Sequence, residues 1–391
     1  MTVEGTAELM LLPVELIGMI TSYAGSFSYD ERIFVFHSHR KTTGTGERER
    51  ETLASLRLVN QTFCRDATPL LFKHIFATSR NGWCNGWRNG LTRLYHISDS
   101  PLARYVEHID IGSASHPDNV TIGTQYANGF DDLLFQCLVR LPNLRSLDFA
   151  GGRFYSSFSN DSLVYSLRNY LLYIDSPALR ELDIACPSSD SSGASGIWGS
   201  RCRAGRRRGR APDTEKKHGS TITPICPPNP RYFEYMTGLL ELAENLQSLA
   251  LRSTEALNIG ELTVPGSWHL RSLSLTRISF SAEKIGALVH QSYGCLESIE
   301  LLECELTAGS TWEGVLGRLC ELPRLISFQM QQCGYATTDD SIGPALDYIL
   351  KRDDQPIETY HVEDQAALGR LKFHVNANRV ASGLRPRTWR L

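Results

Sequence analysis

From residue 100 onward, one short phrase keeps returning along the chain. It reads "LARYVEHIDI" (102–111), "LPNLRSLDF" (141–149), "SPALRELDI" (176–184), "AENLQSLAL" (243–251), "SWHLRSLSL" (267–275), "YGCLESIEL" (293–301) and "LPRLISFQM" (322–330). Each carries an L-x-x-L-x-L-like core, for instance Leu179, Leu182 and Ile184, or Leu270, Leu273 and Leu275. The closing alternation of apolar and polar residues is that of a strand with one face in a core. A single phrase is too short to bury its leucines alone, so neighbouring phrases must stack on one another. The later cores start 24, 26 and 29 residues apart (Leu246, Leu270, Leu296, Leu325), whereas the earlier ones are 35 or more apart and carry insertions.

This phrase and period are the signature of leucine-rich repeats, in which short parallel strands line the inside of a curved solenoid and helices or irregular segments return outside. The expected fold class is therefore α/β, with a solenoid over 100–335. Outer helices are predicted in "DSLVYSLRNYLLYI" (161–174), "SAEKIGALVHQ" (281–291) and "TWEGVLGRLCEL" (311–322). Ser281 is placed to cap the second of these and Glu283 to sit in its first turn, although Lys284 denies it a full capping box. A doubly wound sheet is the alternative. The recurrent leucines, and the lack of a Gly-rich turn after any strand, favour the solenoid.

With the leucines pointing inward, the residues between them face the other side of the sheet. Between the last two core residues these are Asp110, Asp148, Asp183, Ala250, Ser274, Glu300 and Gln329. Two residues earlier stand His108, Ser146, Glu181, Ser248, Ser272, Ser298 and Ser327. The early phrases thus place Asp110, Asp148, Glu181 and Asp183 on one surface, a candidate seat for a target protein with a basic segment. The simpler reading of the same residues is a solvated sheet face.

Ahead of the repeats lies "LMLLPVELIGMI" (9–20). Glu4 and Glu8 flank it where a secretion signal wants positive charge, and Pro13 and Glu15 interrupt it. Read as a helix it has Pro13 in its first turn, Leu16, Ile17, Ile20 and Tyr23 at helical spacing, and Gly25 as a stop. The polar stretch "HSHRKTTGTGERERE" (37–51) is expected to be a solvated loop. After it, "TLASLRLVNQTFCRDATPLLFKHIF" (52–76) places Leu53, Leu56, Val59 and Phe63 on one helical face, with Pro69 ending the helix.

The order "LPVELIGMI", a gap, then "LASLRLVNQTFCRDATPLLFKHIF" resembles an F-box, with an insertion between the helices that departs from the pattern. Together with the repeats, the resemblance to F-box/leucine-rich-repeat proteins extends over nearly the whole chain. It implies a helical domain over 9–77, with a polar loop inserted at about 26–51, that docks on a Skp-type adaptor and through it on a cullin scaffold. Carried over by position, the adaptor contacts would be Leu12, Pro13, Leu16, Ile20, Leu53, Leu56, Val59 and Phe63. The repeats would hold the target of an SCF-type ubiquitin ligase while other subunits transfer ubiquitin.

A Ser-, Gly- and Pro-rich segment with a cluster of arginines and lysines (187–230) interrupts the repeats and has the composition of a disordered loop. It motivates an alternative function, a non-ligase, nuclear repeat scaffold that uses the basic loop. Residues 336–391 read as a C-terminal cap or tail, with a helical stripe at 341–352.

Little in the sequence speaks for chemistry. It holds no nucleophile elbow, zinc-protease helix, phosphate loop or paired-cysteine zinc spacing, so neither an enzyme nor a cofactor or metal site is expected. A net charge of −3 argues against coating nucleic acid, and no apolar run is long enough to cross a membrane. The ten cysteines include no C-x-x-C pair and fit a reducing, intracellular setting, cytoplasmic or nuclear. The sequons at Asn60, Asn119 and Asn160 would then meet no glycosylation machinery.

Overall fold

The computed structural model describes residues 13–26, 45–77, 86–111, 133–149, 167–172, 179–186, 230–260, 262–263, 268–336, 357 and 361–389. Leu12, the basic insertion up to residue 229 and the stripe expected at 341–352 lie outside them.

Three helices come first: α1 (Val14–Ser26), α2 (Thr45–Leu56) and α3 (Gln61–Lys73). They correct three expectations. Residues 45–51 are helical rather than part of a loop, as the helix-favouring Glu and Arg run there permits. The face expected to run unbroken from Leu53 to Phe63 is split between two helices. Asn60 adopts an extended conformation and its side chain accepts from the Phe63 N–H at 2.9 Å, so a new helix starts there. Pro69 does not end α3 but sits inside it, and the helix stops at Lys73, where the chain passes straight into a strand. Ile17, Leu53, Phe63 and Ala67 are the buried apolar residues of this unit and lie apart from the main core.

The main body is a mixed α/β arrangement around a ten-stranded sheet whose pairings are all parallel. Its strands are β1 (His74–Phe76), β2 (His108–Asp110), β3 (Ser146–Phe149), β4 (Glu181–Cys186), β5 (Ser248–Asn258), β6 (Ser272–Phe280), β7 (Ser298–Leu302), β8 (Glu305–Leu306), β9 (Ser327–Gln331) and β10 (Gly334–Tyr335). The path β1-β2-β3-β4-β5-β6-β7-β9 follows the chain without reversal, and β8 lies to one side, paired with β6 and β10. Every recurring phrase supplies one strand of that path, whereas β1, β8 and β10 were not foreseen.

The register stacks equivalent residues. Ile75, Ile109, Leu147, Leu182, Leu249, Leu273, Ile299 and Phe328 form one row across eight strands, and all are buried. Helices cover that side: α4 (Gly86–Ser98), helical segments at 133–139 and 167–172, α5 (Pro230–Leu242), α6 (Ala282–Gln291) and α7 (Trp312–Leu319). Their apolar faces, such as Ile285, Leu288 and Val289 of α6, join the strand leucines in one core. The Ser281 cap is formed, its hydroxyl accepting from the Lys284 N–H at 3.2 Å, and Thr311 caps α7 in the same way.

Within β6 at Arg277, just past β7 at Glu303 and just past β9 at Gln332, the chain passes through non-glycine residues with φ of 56°, 52° and 52°. They hold the same place in three successive phrases. A left-handed residue costs roughly 1–2 kcal/mol, and at Glu303 and Gln332 the cysteine next in the chain secures the turn. The Cys304 thiol donates to the Leu275 carbonyl at 3.3 Å, and the Cys333 thiol to that of Leu301 at 3.4 Å. Both turns are thereby tied to the neighbouring strand.

At the β9 end, α8 (Val362–Ala381) packs on α7 and β9. Asn378 donates to the carbonyls of Leu322 and Leu325, both at 3.1 Å, and Arg379 to that of Ile326 at 3.0 Å. Buried Asp364 accepts from the Glu313 N–H at 2.8 Å and from the Tyr335 hydroxyl at 2.7 Å, so it adds a negative charge at the start of α7. Hydrogen bonds to buried charged groups are worth about 1.5–3 kcal/mol each. Asp364→Ala is therefore expected to lower stability by about 3 kcal/mol. A urea titration of the purified chain checks this, with the midpoint falling clearly below that of the parent.

Candidate functional site

Two surfaces carry the residues singled out in the sequence. On α1, Ile17 and Thr21 face inward, four residues apart, and the Thr21 hydroxyl donates to the Ile17 carbonyl at 2.8 Å, so its burial leaves no unmet donor. The opposite side presents Leu16, Met19, Ile20 and Tyr23 at helical steps, with exposures of 43%, 66%, 40% and 67%. Leu58, in the break between α2 and α3, is 88% exposed. A stripe of large apolar residues in water is more often a contact surface than an accident of composition.

The eight adaptor candidates divide accordingly. Pro13, Leu16 and Ile20 are exposed, and Leu56 and Val59 are half-buried. Leu53 and Phe63 are buried and hold the small core, so they are not available for direct contact. Leu12 lies outside the described residues. Met19 and Leu58 were missed. Met19 stands one turn from Leu16 and beside Ile20, a signal the sequence did contain, but the exposure of Leu58 depends on the unforeseen break at 57–60.

The second surface is the other face of the sheet. Its residues pair across strands as the phrases implied: Asp110 with Asp148, Asp148 with Asp183, then Ala250, Ser274, Glu300 and Gln329 in turn. Parallel neighbours lie about 4.8 Å apart, so three carboxylates stand side by side. The middle of this face is not a solvated surface. Asp183 is 4% exposed, Ala250 0%, Ser274 1% and Glu300 6%.

Among the described residues, basic side chains meet the column at its two ends. His74 Nε2 lies 3.0 Å from Asp110 Oδ2 at one end. At the other, the Arg252 guanidinium donates to Asp183 Oδ2. Arg252 was not singled out in the sequence, because its role depends on the β4–β5 pairing across the long insertion. Ser274 donates to Glu300 at 2.8 Å. Asp148 Oδ1 and Asp183 Oδ1 are buried and accept no hydrogen bond.

Burial and mutual repulsion leave their mark on these acids. Burial, and then the charge of Asp110, pushes Asp148 up to about 6 against the pull of Arg252 and His74. Asp183 is raised well above the usual carboxylate range by burial and then by the charge of Asp148, with Arg252 opposing. Burial also raises Glu181 and Glu300, each eased by a serine hydroxyl. His108 is driven down to about 4 by burial and by His74, so it stands neutral beside the column.

Among the described residues no group of three or more His, Cys, Asp or Glu is placed to hold a metal ion, and no helix is long and apolar enough to cross a membrane.

A carboxylate raised in the folded state makes folding take up protons. Its charge weakens the fold progressively as pH rises from the ordinary carboxylate value of about 4 to about 6, and by the full amount above that. Asp148→Asn is thus expected to stabilise the chain at pH 7.5 by on the order of 1–3 kcal/mol. The gain should shrink to nothing as pH falls below 4. Urea midpoints of both proteins at the two pH values decide it, and a variant no more stable than the parent at pH 7.5 would refute the assignment.

Compared with known proteins, the chain matches no family model and no curated protein.

Proposed function

We propose that this chain is the substrate-recognition subunit of an SCF-type ubiquitin ligase, its N-terminal helices forming an F-box-like unit and its sheet belonging to a leucine-rich-repeat solenoid. The observation that carries the reading is the apolar stripe Leu16, Met19, Ile20 and Tyr23, exposed on α1 while Ile17 on the opposite face is buried. A helix that packs one side and leaves the other apolar in water is built to meet a second protein. A Skp-type adaptor is the partner that the "LPVELIGMI…LASLRLV" order implies.

The solenoid reading is supported by strand order that follows the chain, by the single row of core residues across eight strands, and by the left-handed turns at Arg277, Glu303 and Gln332. In this role the chain does no chemistry. It holds a target near the charged conjugating enzyme, which raises the effective concentration of the target's lysines there.

Co-expression of the full chain with a Skp-type adaptor tests the proposal. The parent chain should capture the adaptor, and Leu16→Ala combined with Ile20→Ala should weaken capture by roughly a hundredfold or more, at about 2 kcal/mol for each truncated hot-spot residue. Both residues are exposed, so the urea midpoint of the double variant should stay close to that of the parent. Failure of the parent to bind the adaptor, or equal binding by the double variant, refutes the ligase role.

A further inference from the structure

We propose that the outer face of α8 pairs with the same face of a second copy of this chain, the two helices lying antiparallel with Phe373 at the two-fold axis, a contact that does not depend on the ligase reading.

α8 is apolar on both sides. Leu368, Leu371 and Val375 are buried against the end of the sheet. On the far side Val362, Ala366, Gly369, Phe373, Ala377 and Val380 are all exposed, Phe373 by 80%. At about 100° per residue these six fall in an arc of about 80°, and no polar residue of α8 falls inside that arc. The last unit of a stack normally turns a polar face to water, and a helix apolar all round is one that is covered all round. The stripe is prolonged by Leu384. The Gly383 N–H donates to the Val380 carbonyl at 3.0 Å and the Leu384 N–H to that of Arg379 at 2.8 Å, which ends the helix through Gly383 at φ 83° less eight, that is 75°, and brings Leu384 back beside its last turn.

The spacing of the stripe identifies its occupant. Counted from Phe373, apolar residues stand four before and after (Gly369, Ala377), seven before and after (Ala366, Val380) and eleven before and after (Val362, Leu384). A pattern that reads the same in both directions matches itself when turned end over end, as a two-fold contact requires. An antiparallel copy then sets Val362 against Leu384, Ala366 against Val380 and Gly369 against Ala377. The small residues leave room where the aromatic rings need it. A side chain at Gly369 would meet nothing within 4 Å. Helical side chains lean toward their own N-terminus, so the two Phe373 rings lean apart, each settling between its own Gly369 and Ala377 of the second copy.

Charge favours the same orientation. Exposed Glu363 lies at the start of the stripe and exposed Arg385 just past its end. Antiparallel pairing brings each Glu363 level with residue 383 of the second copy, next to Arg385, whereas parallel pairing would set like charges together. It also opposes the two helix dipoles. The stripe is about 33 Å long and about one helix diameter, 10 Å, wide. That is small beside the roughly 800 Å² per partner of a standard interface, so the dimer is expected to form at micromolar concentrations. α8 lies at the β9 end of the strand path and the helices α1 to α3 lead into β1 at the other, so the pairing leaves the α1 stripe uncovered.

Sedimentation velocity of the full chain over about 1 to 100 μM tests the pairing. The mass should rise from the 43.7 kDa of one chain toward twice that value. Phe373→Glu should weaken self-association about a hundredfold or more, since each dimer loses two central residues. Its urea midpoint, taken at a concentration where the parent is monomeric, should match that of the parent. Register is tested by charge: Val362→Lys and Leu384→Glu should each weaken the dimer about tenfold, and the two combined should restore it at least about threefold over either alone. Positions 362 and 384 lie at opposite ends of one stripe, so such a rescue reports contact between copies. A parent that stays monomeric at about 100 μM, a dimer indifferent to Phe373→Glu, or no rescue by the combined variant would overturn the proposal. A monomeric parent whose urea midpoint falls on Phe373→Glu would overturn it too, by assigning the stripe to a contact within the chain. Adaptor capture is measured separately on Phe373→Glu and should not change, so loss of the ligase reading and loss of the dimer are told apart.

Discussion

Side-by-side pairing of consecutive parallel strands supports everything else in this molecule, because no strand here can bury its own leucines. β2 spans three residues and β3 four, too few to form a core alone. Stacked in register they give the row from Ile75 to Phe328, and the helices fold onto it. Such a sheet has two ends where backbone groups would be left open. At the β9 end, Arg379 and Asn378 of α8 bond to the exposed turn carbonyls and Arg387 reaches the Phe328 carbonyl at 3.4 Å. At the β1 end, Arg50 of α2 reaches the His74 carbonyl at 3.4 Å.

The same register has an electrostatic consequence. Stacking equivalent positions turns a repeated sequence choice into a column. Leucine repeated at one position makes a core, but aspartate repeated at the position beside it makes a line of like charges one strand apart. Asp110, Asp148 and Asp183 are that line. Near the surface such repulsion is mild, yet here it acts where burial has already removed most of the water, so the charged forms are disfavoured twice over. Arg252 offsets part of this for Asp183. Asp148 Oδ1 accepts no hydrogen bond, so Asp148 has no such direct offset.

Much of this was legible in the sequence, for reasons that can be named. The leucine phrases fixed which residues point inward, and so which acids share a face, because a strand alternates strictly and the phrases align on their leucines. The strand order and the Ser281 cap were readable on the same local grounds. The break at Asn60 was not, since a continuous apolar face from Leu53 to Phe63 fits one helix as well as two. Nor could sequence divide Leu16 and Ile20 from Leu53 and Phe63, because exposure is decided by packing and all four are apolar. Arg252 escaped notice because it meets Asp183 across an insertion that hides which phrase comes next. The left-handed turns at Arg277, Glu303 and Gln332 carry no glycine to mark them.

The helical unit and the sheet are joined without a linker. α3 ends at Lys73 and β1 begins at His74, while the Glu107 N–H donates to the Lys73 carbonyl at 2.9 Å, so the parallel ladder starts on the last residue of the helix. The column's first acid, Asp110, stands directly beside Phe76 in β1. A receptor that must present a bound target to a distant catalytic subunit loses effective concentration with every flexible residue between its two contact surfaces. Here the apolar stripe packs through Ile17 onto the helices that feed β1, and the acidic column begins one strand farther on. That continuity would serve the positioning role proposed above.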